Sequence, residues 1–121
     1  MKILVIDDDH LVRYALSKIL LSAGYEVVTA SDGRRGMAVL WAEHPDVVIT
    51  DIIMPDQEGI ETIEEVRARF PSLRIMAMSG GFGEAFLNVA RKVGADYIIR
   101  KPFETGAIRE AIRGLLAHPK D

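Results

Sequence analysis

Three kinds of residue stand at the ends of apolar runs in this chain, and together they suit phosphoryl transfer. Asp7, Asp8 and Asp9 follow Ile3-Leu4-Val5-Ile6, and Asp51 follows a run ending at Thr50. Ser79 follows Met78 and precedes Gly80-Gly81, and Lys101 stands between Ile98-Ile99-Arg100 and Pro102. A carboxylate can attack phosphorus as a nucleophile and form an acyl phosphate. The charge that spreads over the equatorial oxygens can be held by a cation and a lysine. Carboxylates gathered in a low-dielectric setting repel one another. Mg²⁺, a hard cation that keeps several waters and uses one or two carboxylates, relieves that repulsion. Lys101 can neutralise a further charge as a flexible point cation. Singly, each residue is ordinary: an Asp at a strand end makes a turn or cap, and Ser before Gly-Gly or Lys before Pro makes a loop. The conjunction is what points to chemistry.

Such residues must be brought together by the elements that precede them. Five segments read as buried strands: Ile3–Ile6, Glu26–Ala30, Asp46–Thr50, Leu73–Met78 and Asp96–Arg100. Most are short apolar runs, several of them β-branched, as in parallel strands covered on both faces. Amphipathic helices fit His10–Ala23, a stretch from Asp32 as cap to about Glu43, Glu58–Phe70, Glu84–Val93 and Glu104–Ala117. In the first helix Leu11, Ala15, Ile19 and Leu20 fall near one stripe, which Val12 and Leu16 widen. Gly24 and Gly94 follow helix ends, where a left-handed residue is wanted. Strand–helix alternation implies a parallel sheet with right-handed crossovers. The expected fold is α/β: a flavodoxin-like (βα)5, doubly wound, five-stranded parallel sheet in strand order 2-1-3-4-5, as one domain over residues 1–121. In such a sheet ligands bind beyond the carboxyl ends of the strands. There strand one delivers Asp7 to Asp9, strand three Asp51, strand four Ser79 and strand five Lys101, the last expected as an exposed strand-end lysine.

Composition narrows the function. The 121 residues carry a formal net charge of −3 and no cysteine, which argues against a dedicated nucleic-acid binder and excludes disulfides and thiolate metal sites. No apolar run approaches the ~18 residues of a membrane span, and the first apolar stretch is too short for a signal peptide. A cytoplasmic protein is the simplest reading. His44 and His118 each precede a proline, and loops explain them; His10 starts the first helix. Trp41 reads as a partly buried helix residue.

The ordered motifs resemble the receiver domains of two-component response regulators (CheY-like). Lys2-Ile3-Leu4-Val5-Ile6-Asp7-Asp8-Asp9 looks like their opening strand and acidic pair, and Asp51-Ile52-Ile53-Met54-Pro55-Asp56-Gln57-Glu58-Gly59 like their acceptor loop. Met78-Ser79-Gly80 and Ile99-Arg100-Lys101-Pro102-Phe103 resemble the ends of strands four and five. The resemblance implies phosphorylation of Asp51 by a sensor histidine kinase or histidine phosphotransfer protein, with catalysis limited to the domain's own phosphorylation and dephosphorylation. It implies Mg²⁺ ligated by Asp8, Asp51 and the Ile53 carbonyl, with Asp7 acting mainly through water. Ser79 and Lys101 would hold phosphoryl oxygens, the Gly80 N–H would approach the phosphoryl group, and Asp9 would cap the helix. Output would pass to a downstream effector protein or a fused output domain, the chain then being the N-terminal part of a longer regulator; a homodimer is compatible. Direct nucleic-acid or membrane binding is not implied.

One departure stands out. Receivers usually carry an aromatic three residues before the strand-five lysine, as a switch partner of the strand-four hydroxyl. Here that position is Ile98, and Tyr97, one residue earlier, belongs to the opposite strand face. Three other readings compete. A haloacid-dehalogenase-like phosphatase wants Asp-x-Asp with a following Thr or Val, which is missing. A flavin-binding module wants a Ser/Thr/Gly-rich loop where the aspartates stand. A degenerate, docking-only receiver fits poorly with an intact set of Asp7, Asp8, Asp51, Ser79 and Lys101.

Overall fold

The computed structural model describes residues 1–52, 59–80 and 84–117. Five parallel strands, β1 (Lys2–Ile6), β2 (Glu26–Ala30), β3 (Val47–Asp51), β4 (Arg74–Ser79) and β5 (Tyr97–Arg100), form one sheet in the order β2-β1-β3-β4-β5. They alternate with α1 (His10–Ser22), α2 (Gly33–Glu43), α3 (Gly59–Arg69), α4 (Glu84–Val93) and α5 (Thr105–Ala117). The expected architecture and strand order hold. β3 and β4 each begin and end one residue later than expected, because Asp51 still pairs with Met78 and Ser79 with Arg100 in the parallel ladders.

Side-chain alternation along the strands builds two cores. Leu4, Ile6, Val48, Ile75 and Ala77 face α2, α3 and α4 with Met37, Leu40, Ile63, Val66 and Ala90. Ile3, Val5, Val47, Ile49, Met76 and Met78 face α1 and α5 with Leu16, Leu20, Ile108 and Ile112. Fully burying a Leu or Ile side chain is worth about 2 kcal/mol, so a sheet covered on both faces is stabilised strand by strand. The α1 stripe is displaced from the expected one. Leu16 and Leu20 are buried and Val12 and Ile19 partly so, whereas Leu11 and Ala15 are exposed. The helix turns its Val12–Leu16–Ile19–Leu20 side to the sheet, leaving Leu11 and Tyr14 in solvent.

Caps form where the sequence suggests them. The Asp9 carboxylate accepts from Leu11 N at 2.8 Å, and the Asp32 carboxylate accepts from Arg35 N at 2.8 Å, each satisfying a helix N–H that lacks an intrahelical partner. His44 closes α2 in the left-handed region with φ 49°. Trp41 is 55% exposed, more than expected of a partly buried residue, and its ring lies 4.8 Å from that of Phe70.

At the opposite end of the sheet from the strand carboxyl termini, one guanidinium joins four segments. Arg67 of α3 donates to the carbonyls of Pro71, Leu73 and Gly94 and to the Asp96 carboxylate, at 2.7–3.2 Å. Asp96 in turn accepts from Ile75 N at 2.9 Å. Gly94 has φ +133°, and a Cβ there would sit 2.9 Å from Arg67 side-chain atoms, so both conformation and space require glycine. Among the described residues no helix is long and apolar enough to cross a membrane.

Candidate functional site

Backbone bonds carry the sheet just past its strands and place the site residues. Asp7 N donates to Ala30 O at 3.2 Å, Ile52 N to Met78 O at 2.9 Å and Lys101 N to Ser79 O at 2.8 Å. Asp7 is therefore tethered to β2, the residue after Asp51 to β4, and Lys101 to Ser79. The Lys101-Pro102 peptide is cis. Gly59 N donates to Ile52 O at 2.6 Å, bringing α3 against the acceptor strand. A Cβ on Gly59 would overlap the Asp51 carbonyl oxygen and the Ile52 backbone.

Three carboxylates converge here. One oxygen each from Asp7, Asp8 and Asp51 lie within 4.8 Å of one another. Asp7 is fully buried, Asp51 is 8% exposed and Asp8 reaches solvent. Lys101 Nζ bridges two of them, 2.8 Å from Asp7 Oδ2 and 2.9 Å from Asp51 Oδ2. With its side chain only 17% exposed, Lys101 is not the exposed strand-end lysine expected from sequence: it turns inward because two buried acids await it. Asp7 Oδ1 accepts from Asp9 N at 2.9 Å. Burial raises the Asp7 carboxyl above its ordinary range despite the opposing Lys101 and Asp9 hydrogen bonds. Burial alone would lower Lys101, but its bonds and charges to Asp7 and Asp51 outweigh that and raise it.

Ser79 is buried at the end of β4, and Gly80 follows in solvent. A Cβ on Gly80 would make only ordinary contact with Lys101 at 3.5 Å, so packing tolerates Ala there. Ile98 pairs with Ala77 and packs on the α3–α4 side, whereas Tyr97 pairs with Met76 and is 44% exposed. Ile53, expected to offer its carbonyl, lies outside the described residues, as do Met54 and Pro55. Of the expected set, Asp7, Asp8, Asp51 and Lys101 meet directly, with Ser79 one ladder bond from Lys101. The sequence reading overlooked Arg13, whose Nη1 donates to the Asp7 carbonyl at 2.7 Å. No pairing of residue types signals it, because the acceptor is a backbone carbonyl.

The donor set fits a hard divalent cation: oxygen ligands only, one acid open to solvent, and buried negative charge that one lysine does not balance. Asp7, Asp8 and Asp51 are the side chains that could hold such a cation. Each Asp7 oxygen already accepts a hydrogen bond.

This chain belongs to the response regulator receiver domain family, whose model matches residues 3–113. It is similar to the chemotaxis protein CheY of Thermotoga maritima, with 35% identity over 112 residues, 92% of this chain and 93% of that protein. It resembles equally the probable transcriptional regulator ycf27 of Cyanophora paradoxa, 35% identical over 117 residues, but there the match covers 95% of this chain and 48% of the relative. The chain spans about half the length of several curated relatives it matches. Among solved structures, the chemotaxis protein CheY4 of Vibrio cholerae superposes with a TM-score of 0.89 at 30% identity, covering 94% of this chain and 97% of that one. The domain is a phosphoryl-accepting regulator of two-component signalling, a class that works with kinases and effectors and generally uses Mg²⁺.

Proposed function

We propose that Asp51 is the phospho-acceptor, that Asp8 and Asp51 hold Mg²⁺ with Asp7 acting through water and the Ile53 carbonyl completing the set, and that the phosphorylated state alters partner binding. The observation that carries this reading is the Lys101 ammonium shared by Asp7 and Asp51 within 2.9 Å, beside the open Asp8 carboxylate.

An Asp51 oxygen attacks the phosphorus of a donor phosphohistidine. The P–N bond breaks with its electron pair left on the imidazole, which takes a proton, and a P–O bond forms. Asp8 and Asp51 would hold a divalent cation, which would supply positive charge for the phosphoryl oxygens. Lys101 already holds the nucleophile in place; once the charge moves outward onto the phosphoryl group, its ammonium follows to an oxygen there. The Ser79 hydroxyl and the Gly80 N–H offer further donors at the end of β4. Water attack on the phosphorus returns Asp51 to its carboxylate, so the domain acts only on its own phosphoryl group. The donor is a sensor histidine kinase or histidine phosphotransfer protein, and the response passes to a separate effector or a fused output domain.

Incubation with acetyl phosphate and Mg²⁺, followed by intact mass, tests the assignment. One phosphoryl adduct is expected in the wild type, lost in Asp51→Asn and lost on chelation. An adduct of unchanged yield in Asp51→Asn refutes it.

A further inference from the structure

We infer that Arg13 is a positioning residue that sets the direction of the Asp8 carboxylate and thereby the metal affinity of the site. The inference rests on the metal site proposed above. Asp8 is the exposed member of the acidic trio, and its side chain leaves the chain from the peptide that joins it to Asp7. That peptide's carbonyl accepts from Arg13 Nη1 at 2.7 Å. The flanking residues are fixed separately: Asp7 N bonds Ala30 O, and Asp9 N bonds Asp7 Oδ1. Asp9 O accepts from the Arg13 backbone N at 3.1 Å, so one residue of α1 grips the loop through backbone and side chain. A peptide is planar. Holding its oxygen, with Asp7 N and Asp9 N held on either side, therefore restricts the plane in which the Asp8 Cα sits and narrows the directions its side chain can take.

Arg13 has a second, opposing effect. Its positive charge lies close to the acidic trio, and a cation there weakens the pull on a second cation. The two roles predict opposite signs. If charge dominates, removing Arg13 tightens Mg²⁺; if positioning dominates, removal loosens it. The direct, partly buried bond to the Asp7–Asp8 peptide favours positioning, because partners behind metal ligands commonly change affinity by about 10–100-fold.

The test is an NMR amide titration with Mg²⁺ in wild type, Asp8→Asn, Arg13→Ala and Arg13→Lys, with melting in EDTA measured alongside. Arg13→Ala is expected to weaken Mg²⁺ about tenfold, and Arg13→Lys to regain part of the loss. Wild-type affinity, or tighter binding, in Arg13→Ala overturns the inference. Should Arg13→Ala not fold, Arg13→Gln is read by the same criterion. If wild-type binding does not depend on Asp8, the metal site itself is wrong and the inference falls with it; Asp8-dependent binding that ignores Arg13 overturns the inference alone.

Discussion

Lys101 Nζ lies 2.9 Å from the carboxylate of Asp51, fifty positions away in the chain. The same ammonium serves the fully buried Asp7, so removing it leaves two enclosed acids without their shared cation. Breaking a buried ion pair from one side costs about 3–5 kcal/mol, and partial solvent access places this site at the lower end. Lys101→Ala should therefore lose roughly 3 kcal/mol in EDTA. A ligand that binds only the folded state adds stability by mass action, so Mg²⁺ should raise the melting temperature of the variant more than that of wild type. Thermal melts with and without Mg²⁺ check both; unchanged melting in EDTA would show that the pairing contributes nothing.

Asp7 predicts a pH dependence of known sign. Its carboxyl is raised in the folded protein, chiefly by burial, so the folded state keeps this proton after the unfolded state has released it. Its contribution is fully present below the ordinary carboxylate value and is lost as pH rises through the raised one. The stability difference between wild type and Asp7→Asn should therefore move against wild type across that interval in metal-free buffer. Denaturant unfolding at stepped pH measures it, and a difference that moves in favour of wild type would contradict the burial of Asp7.

Gly59 ties the acceptor to the start of α3. A methyl at this position would meet the Asp51 carbonyl oxygen and Ile52 backbone atoms, which cannot move aside as a flexible side chain would. Overpacking typically costs about 1–3 kcal/mol, and the clash with backbone atoms of Asp51 and Ile52 sets Gly59→Ala at the upper end. Because the displaced atoms belong to Asp51 and its neighbour, phosphoryl uptake from acetyl phosphate should fall as well. Denaturant melts and intact mass report the two effects separately. Wild-type uptake in a destabilised variant would show that the strand end is undisturbed.

Ile98 and Tyr97 divide the two faces of β5. Ile98 opposes Ala77 on the α4 side, and Tyr97 starts the strand half in solvent on the other. A β-branched side chain is stiff at χ1 and has no polar tip to trade between solvent and interior. With beryllofluoride and Mg²⁺ as a phosphoryl mimic, Tyr97 should stay on its own face, and the response of α4, β5 and α5 should come from backbone and helix adjustment. Ring and amide NMR shifts test this. A Tyr97 ring that moves beside Ser79 would require β5 to change register.

Much of the molecule was legible because short apolar runs ending in Asp, Asp, Ser and Lys have few alternatives once strands are taken as parallel. The helix cap Asp32 was readable from local chemistry alone, and Asp9 from its place one residue past the acidic pair. What sequence could not supply was direction. The rotation of α1, with Leu11 in solvent and Val12 toward the sheet, depends on packing against β1, β2 and α5, which a stripe as wide as the six apolar residues make does not fix. The inward turn of Lys101 depends on Asp7 being fully enclosed, a tertiary fact. Arg13 escaped notice because its acceptor is a backbone carbonyl, which no residue type announces.

The Arg67 clamp makes the α3-to-β5 half of the molecule an opening unit. Its guanidinium satisfies carbonyls after α3, before β4 and after α4, and its carboxylate partner Asp96 also holds the first residue of β4's interior, Ile75. None of these segments can separate from the others without stripping partners from the same side chain. Amides in α3, β4, α4 and β5 should then share one opening free energy in native-state exchange, while α2 and β2, outside the clamp, open on their own.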